Sequence, residues 1–255
     1  MLRSSIAVIF LALYILLVGP PLILHCLVTD SPELMVRLAV AGVRFALVIC
    51  GIKVRVEGLQ YIPQGVCIFV ANHTSNADPP AVVGSIPRRV ALLGKKEAFR
   101  VPILGTVLKL GGFVPVDRAN SEAAIASVEQ AIEHLKGGLS FLIFPEGTRS
   151  PDGRLRPFKK GSFVMAIRAQ VPVVPVSVVG AHKVLLKGEL AVHPGSVTVK
   201  FHPPVDVRAY AMEQRDTLVE RVQAIVASGL PGDQQPLAQG KERADSSFRA
   251  NLDSE

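Results

Sequence analysis

Three apolar runs constrain this chain most. Val66-Cys67-Ile68-Phe69-Val70, Leu139 to Phe144, and Val171 to Val179 carry few polar residues and read as buried strands. The first leads into Ala71-Asn72-His73-Thr74-Ser75-Asn76-Ala77-Asp78-Pro79-Pro80, where Asp78 followed by Pro79 predicts a helix start with Asp at the cap. His73 therefore falls on a loop at a strand's carboxyl end, the place where open α/β sheets carry their chemistry. The second run delivers Pro145-Glu146-Gly147-Thr148-Arg149-Ser150. In the third, Pro172 and Pro175 predict an edge strand or a bulge. With the helices between them, these runs predict an α/β fold. Its sheet is mixed but largely parallel and flanked by helices, and an N-terminal two-helix membrane arm precedes it.

Charge narrows the partners. The chain has 255 residues and a formal net charge of +7, which suits an anionic partner. One basic zone runs from Arg88 and Arg89 through Lys95, Lys96, Arg100 and Lys109 to Arg118. A second holds Arg149, Arg154, Arg156, Lys159, Lys160 and Arg168. Both lie beside loops. There is no Trp, only three Tyr, and no zinc-finger or RNA-stacking motif, which argues against nucleic acid. Cys26, Cys50 and Cys67 lack metal or redox spacing and read as reduced packing residues, so no metal site is expected.

The first 51 residues read as the arm. Ser5 to Val28 is almost wholly apolar, but Gly19-Pro20-Pro21 is expected to break it, leaving Ile6 to Val18 as the first helix. Ser31-Pro32-Glu33 opens a second helix over Leu34 to Cys50, with Ser31 as the cap. Arg37 and Arg44 share one face of it, as in a helix lying at the level of lipid headgroups. Arg3 and the apolar run also fit a signal peptide, but no small-residue cleavage site follows. Positive charge on Arg37, Arg44 and Lys53 places the following domain on the cytoplasmic face of the inner membrane.

Beyond the arm, Ile52 to Val56 and Arg89 to Leu93 read as strands, and Phe99 to Leu110 as a broken helix. Phe113 to Val116, the helix Ser121 to Lys136, and Leu139 to Phe144 make a crossover unit if the two strands are parallel neighbours. Phe163 to Ala169 is a helix, Ser196 to Phe201 the last strand, and Arg208 to Ala227 a terminal helix. Residues 228–255 turn polar and read as a disordered tail, so the α/β domain covers 52–227.

The loop chemistry is of two kinds. A turn can bring Asp78 back to His73, so that one imidazole nitrogen donates to the carboxylate and the other is free to take a proton. The same residues also fit a helix cap beside a packed ring. Lys96 and Arg118 follow strands and can meet a phosphate, Arg118 through its planar fork. Gly147 lets the backbone approach a ligand, Thr148 and Arg149 can bind phosphate or hydroxyl oxygens, and Glu146 can hold them or accept a substrate hydroxyl.

These motifs together resemble the glycerolipid acyltransferases, specifically the 1-acylglycerol-3-phosphate acyltransferase family. Asn72 to Asp78 is similar to its His-x4-Asp block. Lys96-Glu97 through Pro102 and Gly105 to Val116-Asp117-Arg118 is similar to its second block. Phe144 to Ser150 matches its third, and Val173 to Val178 with Pro175 its fourth. Ala98 departs from the large residue usual after Lys-x-Glu. The resemblance covers about Ile52 to Phe201. It implies acyl transfer from acyl-CoA or an acyl carrier protein to the free hydroxyl of 1-acylglycerol-3-phosphate, giving phosphatidic acid. His73 would be the general base and Asp78 would hold its ring. Lys96, Arg118 and Arg149 would bind the substrate phosphate, and Glu146, Gly147 and Thr148 would shape the acceptor site. No metal or cofactor beyond the thioester co-substrate is implied. The alternatives are glycerol-3-phosphate or another lysophospholipid as acceptor, and a non-catalytic module that binds acidic lipid.

Overall fold

The computed structural model describes residues 2–117, 121–186, 188–189 and 191–236. Its strands are β1 (Ile52–Glu57), β2 (Ile68–Ala71), β3 (Val90–Lys95), β4 (Val114–Val116), β5 (Ser140–Ile143), β6 (Val173–Val179) and β7 (Gly195–Phe201). They form one sheet in the order β1-β7-β6-β2-β5-β3-β4. β6, β2, β5, β3 and β4 run parallel. β7 is antiparallel to β6, and β1 is parallel to β7. The helices are α1 (Leu2–Thr29), α2 (Glu33–Ile49), α3 (Asp78–Ser85), α4 (Leu104–Leu110), α5 (Ser121–Lys136), α6 (Gly161–Ala169), α7 (Ala181–Val184) and α8 (Arg215–Ser228).

The unbroken apolar runs follow from burial on both faces. Ile68 and Val70 of β2 pack with α5, α6 and α8 in one core. Cys67, Phe69 and Ala71 point the other way, into a second core with α3 and residues of α1 and α2. The sheet is therefore mixed, largely parallel and flanked by helices.

Several local expectations are corrected. Gly19-Pro20-Pro21 does not interrupt α1, which is one helix of 28 residues with both prolines inside it. Pro20 and Pro21 remove the donors for the carbonyls of Leu16 and Leu17, two residues that are exposed. Packing elsewhere holds the helix together. Gly19 lies against Ile103, and Gly42 of α2 lets the Tyr14 ring come so close that a β-carbon there would sit 2.6 Å from it. The Tyr14 hydroxyl donates to the Leu38 carbonyl at 2.9 Å. At about 1.5 Å per residue, α1 is about 42 Å long and can cross a hydrocarbon core of about 30 Å. It is apolar enough to do so as well.

The second arm helix starts without a side-chain cap. Its N-cap is Pro32, not Ser31. The helix expected from Arg208 starts at Arg215 instead. Asp206 accepts from the Arg208 N–H and caps a short 3-10 turn, Val207–Ala209, and Tyr210 and Ala211 are extended. β4 and β5 are parallel but not neighbours, because β3 lies between them. β6 is a central strand, not an edge. In extended backbone a residue's N and C=O point the same way, so the donor missing at Pro175 faces β7, just past the final Val176–Phe201 pair. The Pro175 carbonyl still accepts from the His202 N–H at 3.0 Å. The tail is ordered at least as far as Pro236: Gln234 is buried, and its Oε1 accepts from the Gly180 N–H at 3.0 Å. Residues 237–255 lie outside the described residues.

Candidate active site

The site grows from the carboxyl end of β2. Asp78 is the first residue of α3, and the N-cap is Ala77. Its carboxylate does not cap the helix. It turns back over the loop, where Oδ2 accepts from the Thr74 N–H at 2.6 Å and the Ser75 N–H at 2.7 Å. The same oxygen lies 2.9 Å from His73 Nδ1. Asp78 is fully buried, whereas the His73 side chain keeps 14% of its surface exposed. With Nδ1–H donating to Asp78, Nε2 carries the free lone pair. Pro79 and Pro80 then start α3, in positions where the first turn needs no N–H donors.

The loop after β5 holds the same histidine from the other side. The Phe144 ring stacks on the imidazole, with centroids 4.4 Å apart. The His73 N–H donates to Glu146 Oε1 at 2.7 Å, and the Ser150 N–H donates to the His73 carbonyl at 2.8 Å. β2 and β5 are adjacent parallel strands, so both loops leave the same end of the sheet. Gly147 makes the turn between these contacts. Its φ is +76°, and the Lys159 amino group lies 3.0 Å from where a β-carbon would sit.

Glu146 is buried and carries an unusual charge balance. Burial pushes its pKa up from 4.5 to about 8, and the nearby Asp78 carboxylate adds to this. The N–H groups of His73 and Arg156 and the Arg156 charge oppose the shift. A buried acid with its accepting oxygen on the His73 main chain ties the loop after β5 to the loop after β2.

The other expected residues are distributed around this centre. Thr148 is exposed and Arg149 half-buried on the same turn. Lys96 follows β3 at the same end of the sheet, where its amino group is hydrogen-bonded to Asp117 Oδ2. Arg118 lies outside the described residues. Lys160 is turned away to Asp216 at 2.8 Å, which leaves Lys159 as the lysine beside Gly147.

Sequence reasoning did not single out Asn72. Buried in the core, its side chain donates to the Val178 carbonyl at 2.9 Å and accepts from the Val178 N–H at 2.7 Å, which ties the loop to β6. Its place directly before His73 was the one available signal. Ser75 adds a tie to the Leu185 carbonyl. Among the described residues no group of three His, Cys, Asp or Glu side chains could hold a metal ion.

A family model described as Acyltransferase matches residues 53–179. The 1-acyl-sn-glycerol-3-phosphate acyltransferase of Limnanthes douglasii is 35% identical over 190 residues, covering 74% of this chain and 67% of the relative. The enzyme of that name from Escherichia coli K12 is 34% identical over 164 residues, covering 64% of this chain and 66% of the relative. A crystal structure of the 1-acyl-sn-glycerophosphate acyltransferase PlsC from Thermotoga maritima superposes with a TM-score of 0.78 at 30% identity, covering 89% of this chain and 93% of that one. The chain belongs to the 1-acyl-sn-glycerol-3-phosphate acyltransferase family.

Proposed function

We propose that this protein transfers an acyl chain from a thioester, acyl-CoA or acyl carrier protein, to the free hydroxyl of 1-acylglycerol-3-phosphate, giving phosphatidic acid. The observation that carries the reading is the 2.9 Å approach of His73 Nδ1 to Asp78 Oδ2, with the His73 main chain held on both sides by the loop after β5.

In this reading His73 Nε2 takes the acceptor's hydroxyl proton as the oxygen attacks the thioester carbonyl. The C–O bond forms, the C–S bond breaks, and the thiolate leaves with the proton returned by the imidazolium. Asp78 holds the ring and stabilises its charged form. Gly147, Thr148 and Arg149 line the acceptor's path, with Arg149 and Lys96 toward its phosphate and Arg118 expected alongside. Lysine 96 must leave Asp117 to do so. Glu146 acts through His73. A thioester is already activated, so the reaction asks for no metal or further cofactor. α1 brings the domain to the membrane where the acceptor resides, with the domain on the cytoplasmic face.

The test is the product formed by the purified full chain from labelled acyl-CoA and a mixture of lysophosphatidate, glycerol-3-phosphate and lysophosphatidylcholine. Labelled phosphatidic acid, lost about 10²–10⁴-fold in His73→Ala, supports the reading. A different acylated acceptor, or near wild-type turnover in His73→Ala, refutes it.

A further inference from the structure

A groove of about 1110 Å³ runs along the outer side of α2, away from the site above. Arg37 and Arg44 of α2 and Arg88 and Arg89 before β3 line it, with one acid, Glu33, among them. Arg88 and Arg89 directly precede β3, and Gly138 and Leu139 of the lining directly precede β5. His73 instead follows β2, the parallel neighbour of β5. The arginine rim and the His73 loop therefore lie at opposite ends of the sheet.

The four arginines are not equivalent. Arg88 is spent on structure: its guanidinium donates to the Pro63 and Gln64 carbonyls and lies over the Phe69 ring. Its charge is fixed in place. Arg89 makes only a loose pair with the exposed Glu33, at 3.5 Å. Arg37 and Arg44 are exposed and make no ion pair among the described residues. Arg44 lays its stem along Gly84 at the end of α3. Three guanidinium groups can thus receive an anion without giving up a strong internal contact.

The rest of the groove is apolar and joins the arm. Phe45 and Val48 line it and are 55% and 67% exposed. The Phe45 ring meets Phe10 of α1 at 5.0 Å, and Ile6, Leu13 and Leu17, at helical spacing from Phe10, are exposed. A soluble anion would use the arginines and leave this apolar wall in water. An amphiphile uses both.

We propose that this groove binds an anionic phospholipid of the bilayer, its headgroup phosphate on Arg37, Arg44 and Arg89 and its acyl chain against Phe45 and Val48, at a site separate from the reaction centre. The proposal rests on the reading of α1 as a membrane helix. The acyl donor is excluded as occupant by position, since its thioester must reach His73.

The test is flotation of the full chain with vesicles of phosphatidylcholine alone or with phosphatidylglycerol added, compared at matched circular dichroism. The wild type is expected to prefer the anionic vesicles. Arg37→Gln/Arg44→Gln/Arg89→Gln should lose about fivefold of that preference per arginine. The charge-matched control Lys136→Gln/Arg208→Gln/Arg221→Gln should keep it. Ala41→Trp, which fills the groove without changing charge, should lower it as well. The proposal is overturned if the two triple variants behave alike, if Ala41→Trp keeps the full preference, or if the groove variant raises the KM for acyl-CoA. Flotation with neither vesicle sinks the membrane reading and the groove together. Flotation with both, and without preference, sinks the groove alone.

Discussion

His73 and Glu146 are joined through the main chain: the N–H of the histidine donates to Oε1 of the buried acid at 2.7 Å, across 73 residues of sequence. With the return bond from the Ser150 N–H to the His73 carbonyl, this makes the two loops one unit. The imidazole is thus aimed by the backbone of one loop, the carboxylate at the start of α3, and the Phe144 ring. Preorganisation of this kind lowers the cost of reaching a reactive geometry.

The protonation of Glu146 gives the fold a pH dependence. Its pKa is raised from 4.5 to about 8, so between these values the folded state holds a proton that the unfolded chain releases. Stability from this group is therefore fully present below the lower value and lost as pH rises through the upper one. Glu146→Gln removes that slope. Denaturant melts should show the wild type losing up to a few kcal/mol relative to Glu146→Gln across that window. Parallel stability curves for the two proteins would contradict the assignment.

Asp78→Asn keeps the size of the side chain and changes what it can hold. The carboxylate oxygen facing His73 also accepts from the Thr74 and Ser75 N–H groups. An amide oxygen can keep the backbone bonds but stabilises an imidazolium poorly. We expect kcat to fall about 10²–10⁴-fold with little change in the acceptor KM. Steady-state kinetics that show the loss in KM instead would make Asp78 a binding group.

Gly147→Ala tests the turn that carries Thr148 and Arg149. At φ +76° a β-carbon is strained, and the Lys159 side-chain end, 3.0 Å from it, would have to shift slightly. The left-handed conformation alone costs about 1–2 kcal/mol. Chemical denaturation should show a loss of that order, with a larger loss in kcat/KM if the turn shapes the acceptor site.

Ser177 and His202 form a second serine–histidine contact that is structural. Ser177 Oγ donates to the Val226 carbonyl at 2.7 Å, so the 2.8 Å contact with His202 Nε2 has the ring as donor. The pair pins α8 to the sheet. Ser177→Ala strands the buried His202 Nε2–H, while the Val226 carbonyl keeps the Gly229 N–H at 3.2 Å, and should cost about 1–3 kcal/mol by thermal or chemical unfolding. Turnover of the remaining folded enzyme should be unchanged.

Much of the architecture was legible from local pattern. Apolar runs such as Ile68 to Ala71 announce strands because burial on both faces removes polar alternation, and a carboxylate five residues after a histidine lies within one turn of it. These are short-range consequences of side-chain chemistry. The polar loops after β2 and β5 were recognisable for the same reason.

Only the folded chain decided the long-range pairings. Nothing near Lys96 marks Asp117 as its partner, nothing near Gln234 marks Gly180, and no local rule makes Pro175 central in place of marginal. Likewise the two prolines of α1 read as a break until packing against α2 and Ile103 supplies what the missing donors withhold. Sequence determines which elements want burial, because that depends on each residue and its near neighbours. Which groups then meet depends on strand order and on contacts closed over many residues, and that is settled by the packing of the whole.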